Sequence, residues 1–285
     1  MMGDSSKAAS SEASRSGADT PLDLEAGDWK STLKRTVKEI KDDRIAFAAA
    51  AMAYYFFLAI FPALIALVGV FGLANIDASG LVESLTSSLP GGAGKALSDA
   101  LRNSDAASET ASLTAAISGI AIALWSASSG MAALQTGLNV AYDVEQDRKF
   151  LAKRGVALLL LVATAVLGGV PSPFFTFGES IFFKALGWVL TVFAVAVLFS
   201  IYYYVAPNRE ERRWRWMTPG GVVGALLWIG VSAMFGLYIN NFSNYGKTYG
   251  ELAGVVVLVL WLYLTSLAVL IGGELNAEVE RQAAR

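Results

Sequence analysis

The chain has 285 residues, 55% of them hydrophobic and 16% charged, with a formal net charge of -2. A soluble domain usually carries about a quarter Asp, Glu, Lys and Arg, so a mean hydropathy of +0.51 leaves too few charges to coat a water-soluble body of this size. Cysteine and histidine are both absent, which excludes a disulfide framework, a thiol nucleophile, a Cys- or His-ligated metal and the commonest general base.

In chain order, residues 1–28 are rich in Ser, Ala, Gly and acid and show no hydrophobic period. Such a stretch cannot bury enough surface to order itself. No apolar core follows a basic start, so it is expected to be a disordered tail and not a signal peptide. Residues 29–44 follow, within "DWKSTLKRTVKEIKDDR". Trp29, Leu33, Val37 and Ile40 fall on one side at helical spacing, and Lys30, Lys34, Arg35, Lys38 and Lys41 fill the remainder. This spacing predicts a basic amphipathic helix on the membrane surface, where each cation near anionic headgroups is worth about 1 kcal/mol. A solvated helix leading into the first span is the alternative.

Six uncharged runs occupy approximately 45–76, 110–142, 155–178, 185–208, 216–246 and 252–273. About 20 apolar residues cross the hydrocarbon layer as a helix. In lipid the backbone must satisfy its own hydrogen bonds, and runs with weak alternation are helices and not barrel strands. The expected fold is therefore all-α: a polytopic bundle of six transmembrane helices over 45–280. Lys and Arg then divide 18 to 4 between the two sides, which predicts cytoplasmic N and C termini and a bacterial inner-membrane location. On the far side, residues 76–109 carry two apolar stripes broken by "PGG", read as an external amphipathic segment.

Two breaks stand out. Pro62 lies inside the first run and lacks the N–H that would bond the Leu58 carbonyl, so a kink is expected there. It serves either packing or a cavity beside the helix. The third run meets "PSPFF" about sixteen residues after Gly155. It either stops in the outer headgroups or continues as a broken helix of the kind that marks transporter sites.

Polar residues at membrane depth complete the candidate set. Ser128, Gln135, Asn139 and Asp143 share one helix face, with Tyr142 beside the last. They bond neighbouring helices or form the wall of a polar cavity open to the cytoplasm. Glu274 and Asn276 follow Gly272 and Gly273, where another backbone can approach closely. Gly220 and Gly224 form a small-xxx-small pair, a packing signal. Tyr238, Tyr245 and Tyr249 suit an aromatic belt, whereas Trp125, Trp228 and Trp261 fall well inside their runs.

Three stretches carry a resemblance: "AAAAMAYYFFLAIFPALIALVGVFGL", "LWSASSGMAALQTGLNVAYDVEQDR" and the segment from "WRWMTPGG" to "GGELNAEVER". They resemble the YihY/BrkB family of bacterial inner-membrane proteins, sometimes labelled ribonuclease BN. The resemblance implies a six-helix membrane protein with no established substrate. It highlights Tyr54, Tyr55, Pro62, Trp125, Asn139, Tyr142, Pro219, Trp228, Tyr249, Gly250, Trp261, Glu274 and Asn276.

The residue chemistry gives a nuclease no support. Two-metal cleavage needs ligands holding ions about 4 Å apart, and Asp143, Glu145, Asp147, Glu210 and Glu211 sit in short loops without such spacing. No aromatic platform for bases accompanies the basic loops, so no nucleic-acid partner is expected. "SASSG" has no His or nearby Lys to activate a serine, and no phosphate-binding GxxxxGK[ST] loop occurs. No catalytic, cofactor or metal residues are assigned. The expected function is a transporter or lipid-handling protein, with anionic headgroups at its basic segments and an amphiphilic or small-molecule substrate. Its candidate cavity or gating residues are Tyr54, Tyr55, Pro62, Ser128, Gln135, Asn139, Tyr142, Tyr249, Glu274 and Asn276. A membrane scaffold or regulatory protein is the alternative.

Overall fold

A computed structural model describes residues 26–73, 109–171, 180–209, 218–241 and 252–283. The tail expected at 1–28 and the external segment at 76–109 fall almost wholly outside them, as do Pro173 and Tyr249. The described residues form seven helices and no strand: α1 (Ala26–Asp42), α2 (Ile45–Leu73), α3 (Glu109–Ala141), α4 (Phe150–Gly169), α5 (Ile181–Val205), α6 (Pro219–Asn241) and α7 (Leu252–Ala283). Five of them, α3 to α7, are long and apolar enough to cross a membrane, and the pair α1–α2, bent by 63° between them, brings the number to six. α2 alone has 29 residues, about 44 Å of helix. The chain is an all-helical, multi-pass membrane protein.

The six long helices close into a ring. Each packs on the next in sequence, α2 on α3 through α6 on α7, and α7 returns to α2. α7 also touches α1, α3 and α5, which makes it the element shared by most of the bundle. Leu134, Leu138, Tyr203 and Leu270 are fully buried in the core, whereas equally apolar residues such as Ile181, Met234 and Leu151 face outward. A helix apolar on all sides suits lipid outside and packing inside.

The bend between α1 and α2 falls at Asp43–Arg44, not at a proline. Asp43 N–H still bonds the Glu39 carbonyl at 2.8 Å, but Arg44 has φ of 51° and its N–H turns to Lys41 O at 3.2 Å. A non-glycine residue in the left-handed region ends the helical path there. α2 is helical from Ile45 to Leu73, with Pro62 inside it. α3 ends the same way. Asp143 has φ of 53°, its N–H bonds Val140 O, and Val144 N–H reaches Asn139 O at 2.8 Å. That is a Schellman stop, with Asp143 in the place glycine usually takes. α6 starts at Thr218, whose hydroxyl accepts from Gly221 N–H at 3.0 Å, with Pro219 at the first helical position.

Ion pairs and hydrogen bonds join the α1–α2 elbow, the last turns of α3, α5 and α7, and the loop before α4. These elements therefore share one end of the ring. It carries Arg35, Arg44, Arg148, Lys153, Arg154, Arg209 and Arg281 and is called the basic end below.

Small residues set the α6–α7 spacing. A Cβ on Gly220 would stand 2.2 Å from Gly272 O and 2.5 Å from Asn276 Cβ. One on Gly272 would stand 2.4 Å from Tyr203 Oη. At Gly220 the nearest atom is backbone, so a side-chain rotation cannot relieve that clash, and a Cβ on Gly272 would also stand 2.8 Å from the Gly220 carbonyl oxygen. Further along the seam, Trp228 donates to Thr265 Oγ1 at 3.1 Å and Trp261 to Ser232 Oγ at 3.3 Å. Gly220→Val is expected to destabilise the detergent-purified protein by about 1–3 kcal/mol through overpacking. Gly230→Ala, at a glycine with open space around it, is expected to be neutral or stabilising by up to about 1 kcal/mol. Thermal unfolding of the two variants side by side checks the contrast.

Candidate functional site

The sequence "GGELNAEVER" ends α7 inside protein. Glu274, Asn276 and Glu278 are all buried, and each points at a different element. Asn276 donates to Tyr142 Oη at 2.8 Å and to Glu280 Oε1 at 2.7 Å. Glu280 pairs with Arg209, which lies 4.4 Å over the Tyr142 ring and donates to Tyr203 O at 2.8 Å. Glu278 takes Arg35 from α1 at 2.9 Å and Arg281 at 2.5 Å, and Arg281 also pairs with Asp143. Charge-assisted bonds of this kind are roughly twice as strong as neutral ones. Glu274 is the exception. It is 0% exposed, and no donor reaches either carboxylate oxygen. Its neighbour from the elbow is Asp43.

The polar face of α3 is also built into protein. Gln135 donates to Lys153 O at 3.0 Å and accepts from Arg148 at 3.2 Å. Asn139 donates to Asp147 at 3.2 Å and accepts from Asn208 N–H at 2.9 Å. Ser128 donates to Trp125 O at 2.6 Å and accepts from Arg154 at 3.0 Å. Arg148 closes this network. Its guanidinium donates to Val205 O and Pro207 O, each at 2.8 Å, and to Ala206 O. These carbonyls end α5, where a helix leaves acceptors unsatisfied and its dipole favours a cation.

A cavity of about 620 Å³ lies between the α1–α2 elbow, α3 and the start of α4. Phe47, Ala51, Met52 and Tyr55 form one wall, Ala132, Ala133, Gly137 and Val140 the floor, and Phe150 the other wall. Asp43, Arg44, Thr136, Lys153 and Arg154 supply the polar rim. Lys153 pairs with Asp147 and donates to Thr136 Oγ1 at 2.7 Å. The Arg154 guanidinium stacks 5.1 Å from the Trp125 ring and 5.6 Å from Phe150. Phe47 is 79% exposed and Phe150 62%. The opposite face of α3, with Leu134 and Leu138, is buried. The cavity is thus a groove on the outside of the ring, open where lipid would lie.

Of the residues singled out from sequence, Tyr55 stands on the groove wall, with Tyr54 edge-on to it at 5.5 Å. Ser128, Gln135 and Asn139 join the α3–α4 network, while Tyr142, Glu274 and Asn276 gather at the end of α7. Pro62 is half-buried in α2 and, like these six, is not among the residues lining this groove. Tyr249 lies outside the described residues. Arg148, Arg154, Phe47, Phe150 and Asp43 were not singled out. The four cationic and aromatic residues carry no signal beyond topology and greasiness, and Asp43 looks like one more charge in a charged stretch.

The sequence profile described as "Virulence factor BrkB" matches residues 36–285. The chain belongs to the BrkB family. The chain is similar to a protein of Bacillus subtilis named putative ribonuclease-like protein YfkH. It is 34% identical over 255 residues, spanning 82% of this chain and 90% of that protein. A UPF0761 membrane protein of Idiomarina loihiensis is 30% identical, over 53% of this chain and 56% of its own length. Another, from Azoarcus sp., is 29% identical over 80% of this chain and 58% of its own length. The chain thus spans somewhat more than half the length of each of these two relatives. No solved structure matches. The BrkB match takes in the elbow, the groove and the α7 segment together.

Arg148→Lys keeps the charge but loses the fork that reaches three carbonyls and Gln135. It is expected to destabilise the protein by about 1.5–3 kcal/mol, the range for hydrogen bonds to a charged group. Lys149→Ala, at an exposed neighbour, is expected to stay within about 0.5 kcal/mol. Melting temperatures in one detergent compare the two.

Proposed function

We propose that this protein moves or handles an anionic amphiphile, and that the lateral groove is where the amphiphile binds. The groove joins apolar walls open toward lipid to a rim holding Arg44, Lys153 and Arg154 against the acid Asp43, and that combination carries the reading. A small ion would need a charged or wet path, whereas an acyl chain needs apolar walls and a headgroup needs donors at the interface. The 18-to-4 division of Lys and Arg supports a cytoplasmic basic end in a bacterial inner membrane. The groove then opens at the inner leaflet.

We read the chain as non-enzymatic. The ribonuclease-like name belongs to the Bacillus relative. Among the described residues here, no cluster of three or more Asp or Glu is arranged to hold a metal, and His and Cys are absent from the sequence. A scaffold or regulatory role is the competing reading, with the basic end as its contact surface.

Purified protein in liposomes is expected to redistribute fluorescent phosphatidylglycerol between leaflets faster than fluorescent phosphatidylcholine. Ala132→Trp, which fills the groove floor, is expected to slow it at least tenfold with an unchanged melting temperature. No redistribution of any amphiphile across a broad panel would favour the scaffold. RNA cleavage that survives stringent purification and disappears with one carboxylate substitution would restore the nuclease reading.

A further inference from the structure

Glu274 is fully buried on α7, and no donor reaches either of its oxygens. An ionised carboxylate in that position loses its hydration with nothing in return. The group within hydrogen-bonding reach is another carboxyl, Asp43 of the elbow. Two carboxylates offer only acceptors to each other. They can bond only when a proton lies between them, one side chain donating its O–H and the other accepting.

The surrounding charges do not remove the problem. Asp143, after α3, is a third acid close to both. Tyr142 lies near Glu274, but its hydroxyl, which accepts from Asn276, makes no hydrogen bond to either Glu274 oxygen. Asp42 adds negative charge near Asp43. Arg281 is the nearby cation, and its guanidinium is engaged by Glu278 and Asp143. Its field helps without supplying Glu274 with a hydrogen bond. Burial, with Asp143 and Asp42 acting in the same direction, raises the Asp43 carboxyl above its ordinary range against the opposing pull of the Glu274 hydrogen bond and Arg281.

From this geometry we infer that Asp43 and Glu274 form a proton-binding site that shares one proton between α7 and the α1–α2 elbow, and that its occupancy sets the position of one groove wall. Asp43 faces Glu274 on one side and lines the groove on the other. It sits in the bend, next to Arg44 with its positive φ. With the proton present, the pair ties the elbow to α7. With it gone, two negative charges repel across the same contact, and the elbow is driven from α7. A metal ion is the weaker occupant, because no cluster of three or more acidic ligands is arranged for one among the described residues. The proton site stands on its own; only its consequence for the groove rests on the amphiphile reading.

The sign of the stability change follows. A carboxyl whose folded-state affinity for protons is raised contributes stability that is lost as pH rises through its folded-state value. Wild type is therefore expected to lose stability on moving to alkaline pH, and Asp43→Asn is expected to lose less.

Infrared spectroscopy of the purified full chain tests the site without reference to transport. Wild type is expected to keep a protonated-carboxyl band at neutral pH, well above the value of about 4 at which free Asp and Glu titrate. The band is expected to vanish in both Glu274→Gln and Asp43→Asn. Titration of every carboxyl in the ordinary range in wild type overturns the site, and this arm needs no variant to fold. Survival of the band in both folded variants overturns the assignment to this pair. The groove coupling is read separately with spin labels at Val37→Cys and Leu151→Cys, exposed positions that do not line the groove. Their distance is expected to lengthen as the band titrates and to stay fixed in Asp43→Asn. A distance unchanged across that titration overturns the coupling and leaves the lipid reading untouched.

Discussion

Burying a polar helix end in a low-dielectric interior is the constraint on which this structure depends. An unsatisfied polar group there costs more than in water, and a satisfied one gains strength. The last ten residues of the α7 span have to be met by partners from other elements, and they are. Arg35 comes from α1, Tyr142 from the end of α3, and Arg209 from beyond α5. A bundle of uniformly apolar helices has many near-equivalent packings, because lipid competes with every greasy contact. The polar partners at the end of α7 break that equivalence. Gly220 and Gly272 let α6 come close enough for the network to close.

This arrangement also decides where a ligand can go. The interior of the ring at the basic end is filled by Tyr203, Leu138, Leu270 and the α7 polar residues. Space remains on the outside, where the elbow swings α1 away from the line of α2 by 63°. The groove is thus a by-product of how the first span enters the membrane.

The spans, their number and the glycine seam were legible in the sequence because each rests on composition within one segment. The polar face Ser128–Gln135–Asn139 was legible as a face, since spacing alone sets it. Its partners were not, because Lys153, Arg148 and Asn208 reach it only through the packing of α4 and α5. Arg148 shows the limit most clearly. In sequence it is one cation among four in a loop. In the structure it caps α5. The groove was missed for a related reason. Its floor is alanine and glycine, its walls are aromatics, and nothing in a run such as "AFAAAAMAYYFF" separates a residue facing a void from one facing lipid. The 63° bend before the first span lies at Arg44, whose positive φ no residue type announces.

The central claim is that the end of α7 is enclosed by protein and is not a helix exit among headgroups. The chain contains no cysteine, so single thiols at Ala277 and Val279, both nearly inaccessible, can be compared in native membranes with one at the exposed Val37. A membrane-permeant maleimide is predicted to label Val37→Cys quickly and the two α7 positions at least tenfold more slowly. Equal labelling at all three would contradict the account.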